Sequence, residues 1–177
     1  MIATIQNLLP YGILGSHVLF VFLLLALIFR KSWGRSAVHF VGKHAIVLGF
    51  LLGVSLIAGS LFYSEAVGFE PCVLCWWQRV CLYPQFVLFG AALWKRKTDV
   101  FIYSIPLVLV STIISLYHQY VYMGGHSLLP CTALGGACSK IYVMAFGYIT
   151  IPMMSLTAAA FFLLFAWSHK IYENRHA

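Results

Sequence analysis

Five apolar stretches dominate the chain: Leu8 to Phe29, His44 to Val67, Val73 to Trp94, Val100 to Tyr122 and Tyr142 to Trp167. A helix rises about 1.5 Å per residue, so each can cross a hydrocarbon layer about 30 Å thick. Lipid cannot satisfy a free peptide group, which leaves helices as the way for single runs of this kind to span it. With 62% hydrophobic and 8% charged residues, too little polar surface remains to coat a water-soluble core. The sequence therefore predicts an all-α membrane protein with five spans. No charge occurs before Arg30, so the first run lacks the basic leading region of a cleavable signal and reads as a retained span.

The net charge of +7 would suggest nucleic acid in a soluble protein. Here the cations sit between spans, which makes them topology signals and argues against nucleic-acid binding. Arg30, Lys31, Arg35 and Lys43, the Lys95 to Lys97 cluster, and Lys170 with Arg175 fall on one side of a five-span chain. Only Arg79 and Lys140 fall towards the other. The basic side is expected to be cytoplasmic, together with the C-terminus. Cys72, Cys75, Cys131 and Cys138 then face an oxidising compartment, where disulfides persist.

Cys72 and Cys75 are two residues apart, after Pro71, at the mouth of the third run. If a helix opens there, its unpaired amides lower a thiol pKa and favour reversible exchange over a passive brace. Arg79 lies one turn further along the same face, and a cation inside an apolar run is a functional candidate by default. Cys131 and Cys138 enclose a glycine-containing loop, readable as a staple or as a second exchanging pair; exchange is favoured because a redox pair already lies on that face. Four thiolates would also suit zinc, but structural zinc usually organises a small soluble module, and no metal is assigned. Cys81 reads as packing. His118 lies near the depth of Arg79, where it serves either a ligand or the core. Gly49, Gly53 and Gly59 suit close helix approach.

The run Glu70-Pro71-Cys72-Val73-Leu74-Cys75-Trp76-Trp77-Gln78-Arg79, followed by Tyr83-Pro84, resembles the DsbB family of membrane thiol:quinone oxidoreductases, especially its BdbC branch. Pro130-Cys131, Cys138-Ser139 and Phe146-Gly147-Tyr148-Ile149-Thr150-Ile151-Pro152-Met153 resemble that branch too. The resemblance implies a four-helix transmembrane bundle over residues 44–168. Residues 1–43 would then be an additional N-terminal transmembrane helix with a basic cytoplasmic loop, and 169–177 a cytoplasmic tail. It further implies a multi-pass protein of the bacterial plasma membrane that reoxidises a DsbA-like thioredoxin-fold partner and passes electrons to ubiquinone or menaquinone. Cys131 would form the mixed disulfide with the partner, Cys138 would attack Cys72, and Cys75 would be left as the thiolate facing quinone. Arg79 matches the family's quinone-site arginine, with His118, Trp76 and Gln78 as further cofactor-binding candidates; some members have Glu where Gln78 stands. The alternatives are a vitamin K epoxide reductase-like enzyme, in which the membrane-proximal pair follows the loop pair, and a small transporter with bracing disulfides. The resemblance gives the first span no role.

Overall fold

The computed structural model describes residues 2–126, 138 and 140–176. Five long helices follow one another: α1 (Ile2–Ile28), α2 (Arg35–Leu61), α3 (Val73–Lys95), α4 (Val100–Tyr122) and α5 (Ile151–His176), with a π-helical turn, Phe62–Ala66, extending α2. α1, α2, α4 and α5 are long and apolar enough to cross a membrane. α3 has the same length as α4 but carries Gln78, Arg79 and Gln85, which lower its hydropathy. Gln78 and Gln85 are buried, so that polarity faces protein and not lipid. The all-α membrane fold is as the sequence predicts.

Helices α2, α3, α4 and α5 pack in a ring, each against its neighbours, and α1 lies outside against α2 and α5. Phe89 of α3 is fully buried, stacked on Phe162 of α5 and edge-on to Phe101 of α4. It reaches the ring's centre because Gly49 of α2 has no side chain there; a Cβ at Gly49 would stand 2.6 Å from the Phe89 ring. At the basic end α2 meets α5 even more closely, since a Cβ at Gly42 would lie 2.5 Å from the Ser168 carbonyl. His169 Nδ1 donates to the Gly42 carbonyl at 3.1 Å and fixes that contact.

Several boundaries differ from the sequence reading. α2 begins at Arg35 and not at His44, because Val38, Val41 and Gly42 are buried and carry the helix through the expected basic loop. The turn between α1 and α2 is correspondingly tight: Gly34 passes so close to the Ala26 carbonyl that no side chain fits. The predicted polar tail from His169 is helical almost throughout, with His169 and Ile171 buried. The last helix begins at Ile151, later than the expected Tyr142. Before it, Phe146 and Gly147 have left-handed φ values of 53° and 76°, and an isolated bridge joins Ala145 to Ile149. Thr150 Oγ1 then accepts from the Met153 amide at 3.2 Å and starts α5 as an N-cap, with Pro152 in the first turn. Gly59 makes no close helix contact; it borders the cavity described next.

Candidate redox site

The end of the bundle opposite the basic clusters holds a cavity of about 260 Å³ lined by residues of all five helices. Cys72, Cys75, Gln78, Arg79, His118 and Cys138 all line it. Trp76 does not; its exposed ring lies beside the Arg79 guanidinium, 5.1 Å from the centroid. Cys131 lies outside the described residues.

Cys72 is the N-cap of α3, with extended backbone (ψ 172°) and its sulfur turned back to accept from the Cys75 amide at 3.4 Å. The cap places both sulfurs at the helix mouth, 3.1 Å apart, close enough for a disulfide to form with little movement. Three donors converge on Cys72 Sγ: the Cys75 thiol, the Cys75 amide and His118 Nε2 at 3.6 Å. The Cys75 hydrogen bond first, and then His118, hold the Cys72 thiol well below the ordinary thiol range, against burial, which acts in the other direction.

The donor on His118 is set by a buried relay. Ser155 Oγ donates to Gln78 Oε1 at 3.3 Å, and Gln78 Nε2 donates to His118 Nδ1 at 3.3 Å. With Nδ1 accepting, the imidazole proton sits on Nε2 and points at Cys72 Sγ. An amide at position 78 thus has a defined task that a carboxylate, which only accepts, would not perform.

Arg79 lies deeper on α3. Its Nε donates to Ser60 Oγ at 3.1 Å and its Nη2 to the Ser60 carbonyl at 3.4 Å, where α2 passes into the π-helical turn. Among the described residues no carboxylate pairs with it. Three phenols on the cavity lining, Tyr63, Tyr83 and Tyr142, have buried hydroxyls with no hydrogen-bond partner among the described residues. Such orphaned donors are costly in an apolar site and suit a ligand with carbonyl acceptors. On the same lining, Tyr63 stacks on Phe69 and Phe69 on Tyr142, at 5.7 and 4.6 Å between centroids. This stack joins the segment before Cys72 to that after Cys138, and Tyr122 OH holds the latter by accepting from the Tyr142 amide at 2.7 Å.

Cys138 is disulfide-bonded and 2% exposed, in one cluster with Cys72, Leu74 and Val121. The two cysteine motifs, distant in sequence, therefore meet at one place. Cys81 is free and buried in the core, as its apolar neighbours suggest. The sequence reading missed Ser60, Ser155 and the three phenols. Serines at Ser55, Ser60 and Ser64 in an otherwise apolar run were the available signal for the Arg79 anchor.

A group formed by Cys72, Cys75 and His118 has ligand atoms within 4.8 Å of one another and could hold a metal ion. Its sulfurs stand at hydrogen-bond distance, and the relay already commits His118 to a donor role, so a dithiol site fits the arrangement better.

The family described as "Disulfide bond formation protein DsbB" matches residues 42–169. "Probable disulfide formation protein C 1" of Bacillus anthracis is 39% identical over 59% of this chain and 77% of its own length. "Disulfide bond formation protein C" of Bacillus subtilis (strain 168) is 38% identical over 63% of this chain and 83% of its own. The "SPbeta prophage-derived disulfide bond formation protein B" of the same organism is 34% identical over 76% and 94%. No solved structure matches the chain. A family match over the ring of four helices, with both cysteine motifs inside it, makes this chain a member of the DsbB family of disulfide bond formation proteins.

Proposed function

We propose that this membrane oxidoreductase transfers electrons from a DsbA-like thioredoxin-fold partner to a membrane quinone. The observation that carries the reading is the meeting of Cys72, Cys75, Cys138 and Arg79 on one apolar cavity. A partner thiolate opens the Cys131–Cys138 bond at Cys131, forming a mixed disulfide and freeing Cys138 as a thiolate. Cys138 attacks Cys72 Sγ, breaks the Cys72–Cys75 bond and leaves Cys75 as the thiolate. The partner's second thiolate then displaces Cys131, which closes again onto Cys138 and releases Cys72. The partner is now oxidised, and two electrons rest on Cys72 and Cys75. In this state Cys72 holds the negative charge under the Cys75 and His118 donors, whereas Cys75 holds it while Cys72 is bonded to Cys138.

The lining fits a quinone: Leu52, Leu56, Leu82 and Phe161 supply apolar walls, and Arg79 with the unpaired phenols supplies donors for ring oxygens. When bound, a quinone supplies an acceptor for two electrons and two protons. Arg79 orients it by hydrogen bonds and steadies negative charge, and the aromatic stack keeps water away. The orientation that serves this reading puts the cysteine end outside the cytoplasm, as the basic residues at the other end favour.

Purified protein should reduce quinone when given a reduced thioredoxin-fold partner. Cys131→Ser should abolish oxidation of the partner, while Cys75→Ser should still capture it through Cys131 without turnover. Normal quinone reduction by the Cys75→Ser protein would remove the mechanism.

A further inference from the structure

The family match begins at residue 42, so α1 lies outside it, yet α1 touches the cavity. Leu9, Ile13 and Ser16 line it, at a spacing that puts them on one helix face. The reason is a difference between the two ends of the α2–α5 pair. At the basic end these helices are in backbone contact at Gly42. At the cysteine end their facing residues, Leu52 to Ser64 and Ile151 to Phe161, line the cavity instead, and α1 covers the gap between them. Elsewhere α1 joins the core only near its C-terminal end, where Ala26 and Leu27 are buried with Phe20 and Leu23 packed beside them; only 11% of its apolar window is buried, and the wall is its contribution at the cysteine end.

Polar bonds hold α1 there. His17 Nε2 is 2.7 Å from Thr157 Oγ1, and Nδ1 is 3.3 Å from Tyr148 OH. Thr157 Oγ1 donates to the Met153 carbonyl at 2.8 Å, so it accepts from His17 Nε2–H, and Tyr148 donates to Nδ1. Tyr11 packs edge-on to Phe146 beside this clasp, at 5.3 Å. A histidine held on both ring nitrogens in an apolar span favours a single register, because sliding α1 by one turn would part His17 from Thr157 and Tyr148 where lipid offers no replacement partner.

We infer that α1 is the outer wall of the quinone cavity in this chain, with Ile13 in contact with the bound quinone and His17 as the positioning residue that locks the wall against α5. The inference rests on the proposed function for the identity of the ligand. It implies that quinone enters past α1 and that its tail is selected partly by Leu9 and Ile13.

The test uses the full chain in lipid nanodiscs, with a photoreactive azidoquinone as probe and with quinone kinetics. Label should appear in the Leu9 to Ser16 peptide and be displaced by unlabelled quinone; label confined to α2–α5 would overturn the inference. Ile13→Trp, which fills the cavity, should raise the apparent quinone KM roughly tenfold or more and leave Cys131 exchange unchanged. Val18→Trp, on a position 67% exposed, should change it less than about twofold. His17→Phe should raise KM with little change in kcat, and His17→Gln, which can donate to Thr157 and accept from Tyr148, should restore it in part. Wild-type turnover with all these variants unaffected would refute the wall and leave the quinone reading standing. Displaceable label on α1 without wild-type turnover would refute the electron-transfer reading and leave the wall standing.

Discussion

Replacing His118 by Phe removes the imidazole N–H beside Cys72 while keeping much of the ring volume. Hydrogen bonds to a charged group are worth about 1.5–3 kcal/mol. The Nε2–Sγ contact is 3.6 Å, and two other donors remain on Cys72, so the lower end applies. About 1.4 kcal/mol corresponds to about one pH unit. The sign follows from the lowered thiol pKa: the thiolate exists above its midpoint and is lost as pH falls through it. Losing a donor moves the midpoint up, so at a pH below both midpoints Cys72 alkylation should slow about tenfold. Gln78→Leu should move it the same way by less, because His118 stays but its tautomer is no longer fixed. The assay is the pH profile of iodoacetamide alkylation of reduced protein, read by mass spectrometry on the Cys72 peptide. Both profiles coinciding with wild type would refute the claim that the Ser155–Gln78–His118 relay serves the thiolate.

Arg79→Lys keeps the charge but loses the fork that grips Ser60, and should raise the apparent quinone KM while exchange at Cys131 stays normal; Arg79→Met should do more. Arg79→Met protein of normal abundance with wild-type quinone kinetics would make the arginine structural. For topology, an impermeant maleimide applied to reduced cells should label Cys138 or Cys131 and not a cysteine introduced at Arg96. The reverse pattern would overturn the orientation.

Much of this architecture is legible in the sequence because lipid imposes a simple rule, that a spanning run must be apolar and helical. Both cysteine motifs and Arg79 are legible for the complementary reason, as chemistry that an apolar run does not need for folding. What escapes is set by contacts between runs. α2 extends back to Arg35 because Gly42 meets Ser168, and no local signal announces that pairing. α5 starts late because Phe146 and Gly147 turn the chain and Thr150 caps it, although Thr150 with Pro152 is a readable start signal. Gln78 looks like a loss when read alone, standing where a carboxylate occurs in some members, and becomes a donor only once His118 and Ser155 are beside it.

The way Arg79 is held bears on why the site tolerates a cation in an apolar span. A carboxylate partner would neutralise the guanidinium and spend its directional donors, leaving little field for a thiolate or a quinone oxygen. Ser60 instead offers a hydroxyl and a carbonyl, neutral acceptors that satisfy two N–H groups and leave the charge uncompensated. Trp76 covers one face of the cation, and Tyr83, 6.0 Å away, adds a second π system. Arg79 is half-buried on the cavity lining, so its remaining N–H groups are available to a ligand with carbonyl oxygens. The orientation of those groups is set by the Ser60 anchor, which ties ligand affinity to it. Ser60→Ala should therefore weaken quinone binding through Arg79 even though Ser60 itself need not touch the quinone.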